Sequence, residues 1–525
     1  MTAKPTSFRA RLVLLLACVL IVTTYALLMD LKGISTDEGF RLWIINGGHS
    51  FAPAEGSSDT SWARVLEACR PHAYQPLYFL IQNSVMRITG GHSLIFFRSV
   101  NLAFLGLCLL GLLVLSREWR LAPRLFLLGV FSFNAYLFMH VLQIREYIAG
   151  VAFYIWSTWV VLELEQRPLA RPRDEMPWFA GYGGLLALGF YVQSWVVFPA
   201  IGQFLYLLLR RTGQRPRFYA HLAFSYAIVL AATLPYLASH RQKIDVGLWA
   251  SDSDSLESHL SDGFHLVLSG HLAGQSRFTD FLFYFWPAVI AGGAFLFLWD
   301  RTSSPAPVAA AESRRQGLLM ILCVTVSLAF QIGYTLQVEN LAVWPRYFVI
   351  HYFFLTWLIA LAFRYLWELR GAAAGWARRL TLATGALAAV LAISAVYQIR
   401  SFRQDPFLDT GLNTVSNWRN VGAELARFLG PRDVVVMSDY ITQSTLTATR
   451  PMPNAVLLLP DLETSDLHSA DRLVYIEPDG TQTQRGELAE RLQALGFGAM
   501  QERILLAPDG KTVVPTWRAL IFQRP

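Results

Sequence analysis

Apolar residues along this chain gather in runs of about 17 to 25, the length at which a helix crosses the hydrocarbon core of a bilayer, and short basic loops separate the runs. The first run, residues 11–29, is too long for the apolar part of a signal peptide. No small-x-small cleavage site follows it, so it reads as an uncleaved first span. Further spans are predicted at 98–116, 121–140, 145–162, 218–238, 279–299, 317–337, 346–365 and 380–398. The stretch 178–209 is interrupted at YVQSW and suits two short spans meeting at Gln193–Ser194, which brings the total to about eleven.

Loop charges orient these spans. With the N-terminus in the cytoplasm, Arg117 and Arg120, the Arg167 and Arg210 groups, Arg314 and Arg315, and Arg364 to Arg379 all fall inside. The opposite orientation puts every cluster on the wrong side. Loops 30–92 and 239–278 then lie outside, together with the tail. The predicted organisation is a transmembrane catalytic domain over 1–399 and a soluble extracytoplasmic domain over 400–525. In the tail, DVVVMSDY (433–440) and DRLVYIEP (471–478) read as strands, and 418–430 and 485–498 as amphipathic helices ending at glycine. The expected fold class is therefore a polytopic α-helical membrane protein with a small C-terminal α/β domain.

Composition agrees: 54% of residues are hydrophobic and 15% charged, where soluble domains carry about 25% charged residues. A net charge of +7 would suggest nucleic acid in a soluble protein. Here it belongs to cytoplasmic loops, and no nucleic-acid partner is expected. Cys18, Cys108 and Cys323 fall in spans and Cys69 in a loop, so neither a disulfide framework nor a zinc spacing is present. In the 239–278 loop, His259, His265 and His271 match no standard metal site. The acid–serine alternation around Asp252, Asp254 and Glu257 reads as a flexible lid.

Candidate chemistry collects at the outer ends of the spans. Asp37 and Glu38 follow the first span directly; such acids either cap a short helix through its first turn or serve as an interfacial base. The same loop continues CRPHAYQPLYFL and reaches a Gly-Gly break, after which an arginine opens the next span. HVLQIREYIAG brings together Gln143, Arg145, Glu146 and Tyr147, and VWPRYFVIHY brings Arg346, Tyr347 and His351. Arginine grips phosphate bidentately, although an arginine at a span end is also a common anchor. Gln193 either satisfies backbone groups freed at the break or contacts a sugar.

The order of these motifs resembles the GT-C glycosyltransferases of family 39 and their relatives, among them protein O-mannosyltransferases and the lipid A aminoarabinose transferase. The resemblance covers about residues 11 to 365. It implies a polyprenyl-phosphate sugar donor used on the outer face of a bacterial cytoplasmic membrane, and transfer with inversion to a glycolipid, glycan or protein. It also implies that Asp37 is the general base and that Glu38 orients or binds the acceptor. Arg145 and Arg346, with Tyr347, then lie near the donor phosphate, while Gln143 and Glu146 are substrate-binding candidates. No cofactor is required, and a divalent metal is not indicated. The family usually has histidine directly before Pro-Pro-Leu-Tyr; here Tyr74 and Gln75 stand in that run and His72 precedes it by two residues, which leaves the acceptor contact open. The competing readings are a polymerase or ligase using undecaprenyl carriers, and a lipid or glycan transporter. The acid pair favours the transferase, and the absence of an internal repeat disfavours the transporter.

Overall fold

The computed structural model describes residues 8–29, 36–47, 60–70, 74–90, 93–166, 172–210, 216–240, 256–272, 274–300, 308–337, 345–369, 377–404 and 418–437, and most of 454–478, 485–506 and 517–524. The chain divides into two compact units. The first holds Met1–Leu28, Asn101–Leu142 and Glu146–Asp405; the second holds Met29–Val100, Gln143–Arg145 and Pro406–Pro525.

The first unit is helical. Its elements are α1 (Phe8–Leu28), α6 (Leu121–Ser132), α7 (Ala135–Leu142), α8 (Tyr147–Gln166), α9 (Pro172–Val192), α10 (Val197–Arg210), α11 (Pro216–His240), α12 (Leu256–Ser269), α13 (Arg277–Asp300), α14 (Val308–Gln337), α15 (Val349–Leu369) and α16 (Ala377–Gln404), with most of α5 (Leu94–Leu115). Among the described residues, eight helices are long and apolar enough to cross a membrane, or nine if α6 and α7, bent by 66°, form one span. The protein is a multi-pass membrane protein. Helices α9 and α10 fall short of that standard, α10 having only 14 residues, and they meet at Gln193, whose extended backbone breaks the helix as the YVQSW interruption predicts.

Burial ranks the spans. The apolar stretch of α15 is 89% buried and that of α16 only 22%, so α15 is central and α16 turns most of its surface to lipid. Polar side chains also meet inside the helices α8–α10. Gln203 Nε2 donates to Ser157 Oγ at 2.9 Å and Thr158 Oγ1 at 3.2 Å, and its Oε1 accepts from the Tyr182 hydroxyl at 2.9 Å. Lipid offers no partner for such groups, so they face inward and satisfy one another across helices.

The expected lid is also different where it is described. Residues 256–269 form the regular helix α12, which packs on α13 and α15. Asp252 and Asp254 lie outside the described residues.

The second unit contains α2 (Thr36–Ile45), α3 (Trp62–Cys69), α4 (Pro76–Thr89), the start of α5, and the tail domain. The tail has α17 (Trp418–Phe428), α18 (Arg485–Ala494) and a five-stranded sheet of β1 (Val434–Met437), β2 (Val456–Leu458), β3 (Arg472–Pro478), β4 (Met500–Leu506) and β5 (Trp517–Gln523), ordered β2-β1-β3-β5-β4. β1 pairs parallel with β2 and β3, while β5 runs antiparallel to β3 and β4. Leu473 and Tyr475 of β3, Leu520 and Phe522 of β5, and Leu488 and Leu492 of α18 make its core. The expected small C-terminal α/β domain is present.

Candidate active site

The acid pair opens α2. Asp37 lies in its first turn, where the helix dipole favours negative charge, and its side chain lies outside the described residues. Glu38 is fully buried. Its Oε1 accepts from the Ile144 amide at 2.9 Å and from Arg98 Nη2 at 3.3 Å, both groups of the ion pair being 0% exposed. Arg98 Nη1 also donates to the Met29 carbonyl at 2.9 Å. Three stretches far apart in sequence thus meet on one carboxylate: the turn carrying Asp37, the head of α5, and the 143–145 segment that carries Arg145. The head arginine of α5 is visible in the sequence, but its partner is not, because the two lie sixty positions apart.

Arg145 and Gln143 are fully buried, and the Arg145 amide donates to the Gln143 carbonyl at 2.9 Å in a tight turn. Also on α2, the buried Arg41 lies 4.9 Å over the ring of Tyr74, which also packs edge-on against Phe79 and beside Phe40. Gln75 is the extended N-cap of α4, with Pro76 at the first helical position. Gln82 and Asn83 tie α4 down: Gln82 donates to the Phe97 carbonyl, and Asn83 to those of Ile45 and Thr60. His72 lies outside the described residues.

In the first unit, Arg346 and Tyr347 occupy a 3-10 turn, Pro345–Phe348, that leads into α15. Arg346 Nη2 reaches the Tyr347 hydroxyl at 3.4 Å, with its guanidinium 5.2 Å over that ring. Tyr347 lies against Trp195 of the α9–α10 turn, the rings tilted by 30° with centroids 4.9 Å apart. Gln193 of the same turn goes the other way: it is buried, and its Oε1 accepts from the Tyr154 hydroxyl at 3.2 Å. Trp195 is thus the residue of this turn that stands beside Tyr347. Tyr136 donates its hydroxyl to the Arg346 carbonyl at 3.0 Å, and His140 lies edge-on between Tyr136 and Tyr147. Glu146, nearly buried, opens α8, with its carbonyl accepting from the Gly150 amide. His351 is buried and paired with Gln331 at 3.0 Å.

Phe348 faces away from Tyr347, since successive residues of a 3-10 turn diverge by about 120°. It packs against α12, edge-on to Phe264 at 5.2 Å and over Gly263, where a Cβ would overlap its ring. Phe264 in turn lines a groove of about 920 Å³ between α12, α13 and α15. Leu260 and Leu268 join it from α12, Phe283 and Ile290 from α13, and Leu355 from α15. The walls are almost wholly apolar, and the volume falls in the range of small-molecule sites. A cation at the 345–348 turn and an apolar trough one aromatic contact away suit a ligand with an anionic head and a long hydrocarbon chain.

Of the loop histidines, His265 stacks flat on Phe283 at 3.6 Å and His271 bonds to Gln275 at 3.1 Å. Burial pushes the pKa of both down, for His271 to about 4. Among the described residues, no group of three histidines, cysteines or acids gathers as metal ligands would.

No protein-family model and no curated protein matches the chain. Among solved structures, ArnT from Cupriavidus metallidurans in the apo state aligns with a TM-score of 0.54, at 12% identity, over 97% of this chain and 97% of its own. ArnT bound to undecaprenyl phosphate gives 0.52, again at 12% identity, over 96% and 97%. The oligosaccharyltransferase AglB from Archaeoglobus fulgidus, in complex with an inhibitory peptide and a dolichol-phosphate, gives 0.47 at 12% identity over 94% of this chain and 74% of its own. The fold of this chain is thus the GT-C type of ArnT, as the order of its motifs led one to expect.

Proposed function

We propose that this protein is an integral-membrane glycosyltransferase that takes a sugar from a polyprenyl-phosphate donor and passes it, with inversion, to an acceptor on the outer face of a bacterial cytoplasmic membrane. The observation that carries the reading is the pairing of Arg346 and Tyr347 with the apolar groove reached through Phe348 and Phe264. A free sugar or a soluble nucleotide has no use for such a trough; a lipid phosphate uses both parts. ArnT, whose fold this chain shares, has been captured with undecaprenyl phosphate.

In this mechanism Asp37 takes the proton from the acceptor's nucleophile as that atom attacks the anomeric carbon. The bond to the donor phosphate breaks, and the phosphate leaves with the electron pair. Arg145 and Arg346 stabilise the charge developing on it, with the Tyr347 hydroxyl as a further donor. One displacement inverts the centre, so no second, nucleophilic carboxylate is needed, and the step asks for no metal or other cofactor. Glu38, held by Arg98 and the Ile144 amide, positions the turn rather than touching substrate. His72, Tyr74 and Gln75, with Gln143 and Glu146, are left to recognise the acceptor, whether glycolipid, glycan or protein. The N-terminus is cytoplasmic and the tail domain extracytoplasmic.

The test is transfer in proteoliposomes by wild-type protein and Asp37→Asn, given labelled polyprenyl-phosphate sugars with a cell-envelope extract. Wild-type transfer that falls by about 10²- to 10⁴-fold in Asp37→Asn, with donor binding retained, is the expected result. Equal transfer by both would remove Asp37 from the chemistry. No transfer from any donor would refute the class.

A further inference from the structure

The break between α6 and α7 is joined to two elements that bear on the donor site. Asn134 caps α7, its Oδ1 accepting from the Tyr136 amide at 2.8 Å, and its Nδ2 donates to the Val267 carbonyl of α12 at 3.0 Å. Gln398 reaches the same place from α16. Its Oε1 accepts from the Ala135 amide at 3.0 Å, and its Nε2 donates to the Ser269 carbonyl at 2.5 Å, at the last residue of α12. The side chain is 1% exposed on a helix that turns most of its surface to lipid. Gly270 follows with φ of +81°, a conformation side chains rarely adopt, and a Cβ there would stand 2.5 Å from Gln398 Oε1. The backbone has been shaped to admit this carboxamide.

We infer that Gln398 is a positioning residue for the donor site, clamping the end of α12 to the start of α7 so that the groove wall and Arg346 are held in one arrangement. Two routes lead from it to the 345–348 turn. Through α7, the Ala135 amide it holds is followed by Tyr136, whose hydroxyl carries the Arg346 carbonyl. Through α12, the Ser269 carbonyl ends the helix whose Phe264 lines the groove and packs on Phe348. Gln398 itself lines neither the groove nor the turn. Ala135 and Ser269 are both fully buried, so losing the carboxamide costs each of the two backbone groups its partner where water cannot readily replace it. The inference rests on the reading of Arg346 and the groove as the donor site.

The test uses full-length protein in nanodiscs with undecaprenyl phosphate as the probe, in wild type, Gln398→Leu, Gln398→Glu and Tyr136→Phe. Thermal midpoints are recorded alongside, and sugar transfer is measured as kcat and donor KM. A positioning role raises the Kd and donor KM of Gln398→Leu by about tenfold, equivalent to about 1.4 kcal/mol, while kcat at saturating donor stays within about twofold. Gln398→Glu keeps the acceptor for Ala135 and loses the donor to Ser269, so its Kd lies between. Tyr136→Phe, which removes the hydroxyl that links to the Arg346 carbonyl, shows the same KM effect without a large change in midpoint. Variants that unfold earlier yet bind undecaprenyl phosphate with the wild-type Kd would make the clamp purely structural and overturn the inference. Should Gln398→Leu fail to fold, Gln398→Glu and Tyr136→Phe decide in its place. A wild-type protein that does not bind undecaprenyl phosphate would instead overturn the donor reading itself, and the inference with it.

Discussion

Replacing Arg98 by methionine probes the burial at the acid turn most directly. The side chain keeps its length, but the Glu38 carboxylate, 0% exposed, loses its arginine while keeping the Ile144 amide at 2.9 Å, and the Met29 carbonyl loses the Arg98 donor. Removing one partner of a buried ion pair costs about 3–5 kcal/mol, because the remaining charge is neither solvated nor matched. Making both partners neutral and apolar or amide-like is far cheaper. In Glu38→Gln with Arg98→Met, the glutamine Oε1 still accepts from Ile144, leaving the Met29 bond as the main loss, about 1 kcal/mol. The double variant is therefore expected to be more stable than Arg98→Met alone, by about 2–4 kcal/mol. Arg64→Ala is the control: its pair with Glu67 is 49% and 68% exposed, and such pairs contribute between zero and about 1 kcal/mol. The assay is unfolding of the purified protein in one detergent at fixed protein concentration, followed by tryptophan fluorescence. An Arg98→Met midpoint equal to wild type, or a double variant below Arg98→Met, would refute the account of Glu38 as a matched, buried positioning group.

Two further outcomes are expected. Burial lowers the His271 pKa from 6.5 to about 4, against weaker opposing hydrogen bonds from Gln275 and Gln398. Above pH 6.5 neither state is protonated there, and stability does not depend on this group. As pH falls from 6.5 towards 4, the unfolded chain binds a proton that the folded site refuses, so stability drops, by at most about 3 kcal/mol. Thermal midpoints taken between pH 7.5 and 4.5 are expected to show this fall, reduced in His271→Asn; identical slopes for the two would refute it. Gln203→Leu takes the carboxamide from the Tyr182 hydroxyl, which keeps Tyr226 at 3.1 Å, and from Ser157 and Thr158, and is expected to destabilise by about 1–2 kcal/mol, read from the same unfolding assay. Unchanged stability would mean that these groups find other partners.

Much of this architecture was legible in the residue order because its causes are local. A bilayer sets one length for every span, so apolar runs mark α1, α5, α8, α11 and α13–α16 directly, and YVQSW marks the break at Gln193. In the tail, runs such as VVVM and RLVYIEP announced β1 and β3. β4 and β5 did not stand out, since MQERILL and WRALIFQ mix polar and apolar residues until a partner strand gives each face its surroundings. The bend at Phe133–Asn134 and the helix α12 were missed for a related reason: the polar groups that hold them, Asn134, Gln398 and Ser269, come from three distant segments. A lone glutamine in a lipid-facing span was the only visible signal for Gln398.

The site divides in the same way. Residue types and their order made Asp37, Arg145 and Arg346 candidates for the proposed chemistry, because charged residues near membrane depth are costly. Tertiary structure alone turned Glu38 into the partner of Arg98, swung Gln193 onto Tyr154 and left Trp195 beside Tyr347, and opened the groove behind Phe348. Helix propensity and hydropathy act over a few residues, whereas a buried charge or amide is settled by whichever group the packed chain brings within about 3 Å of it.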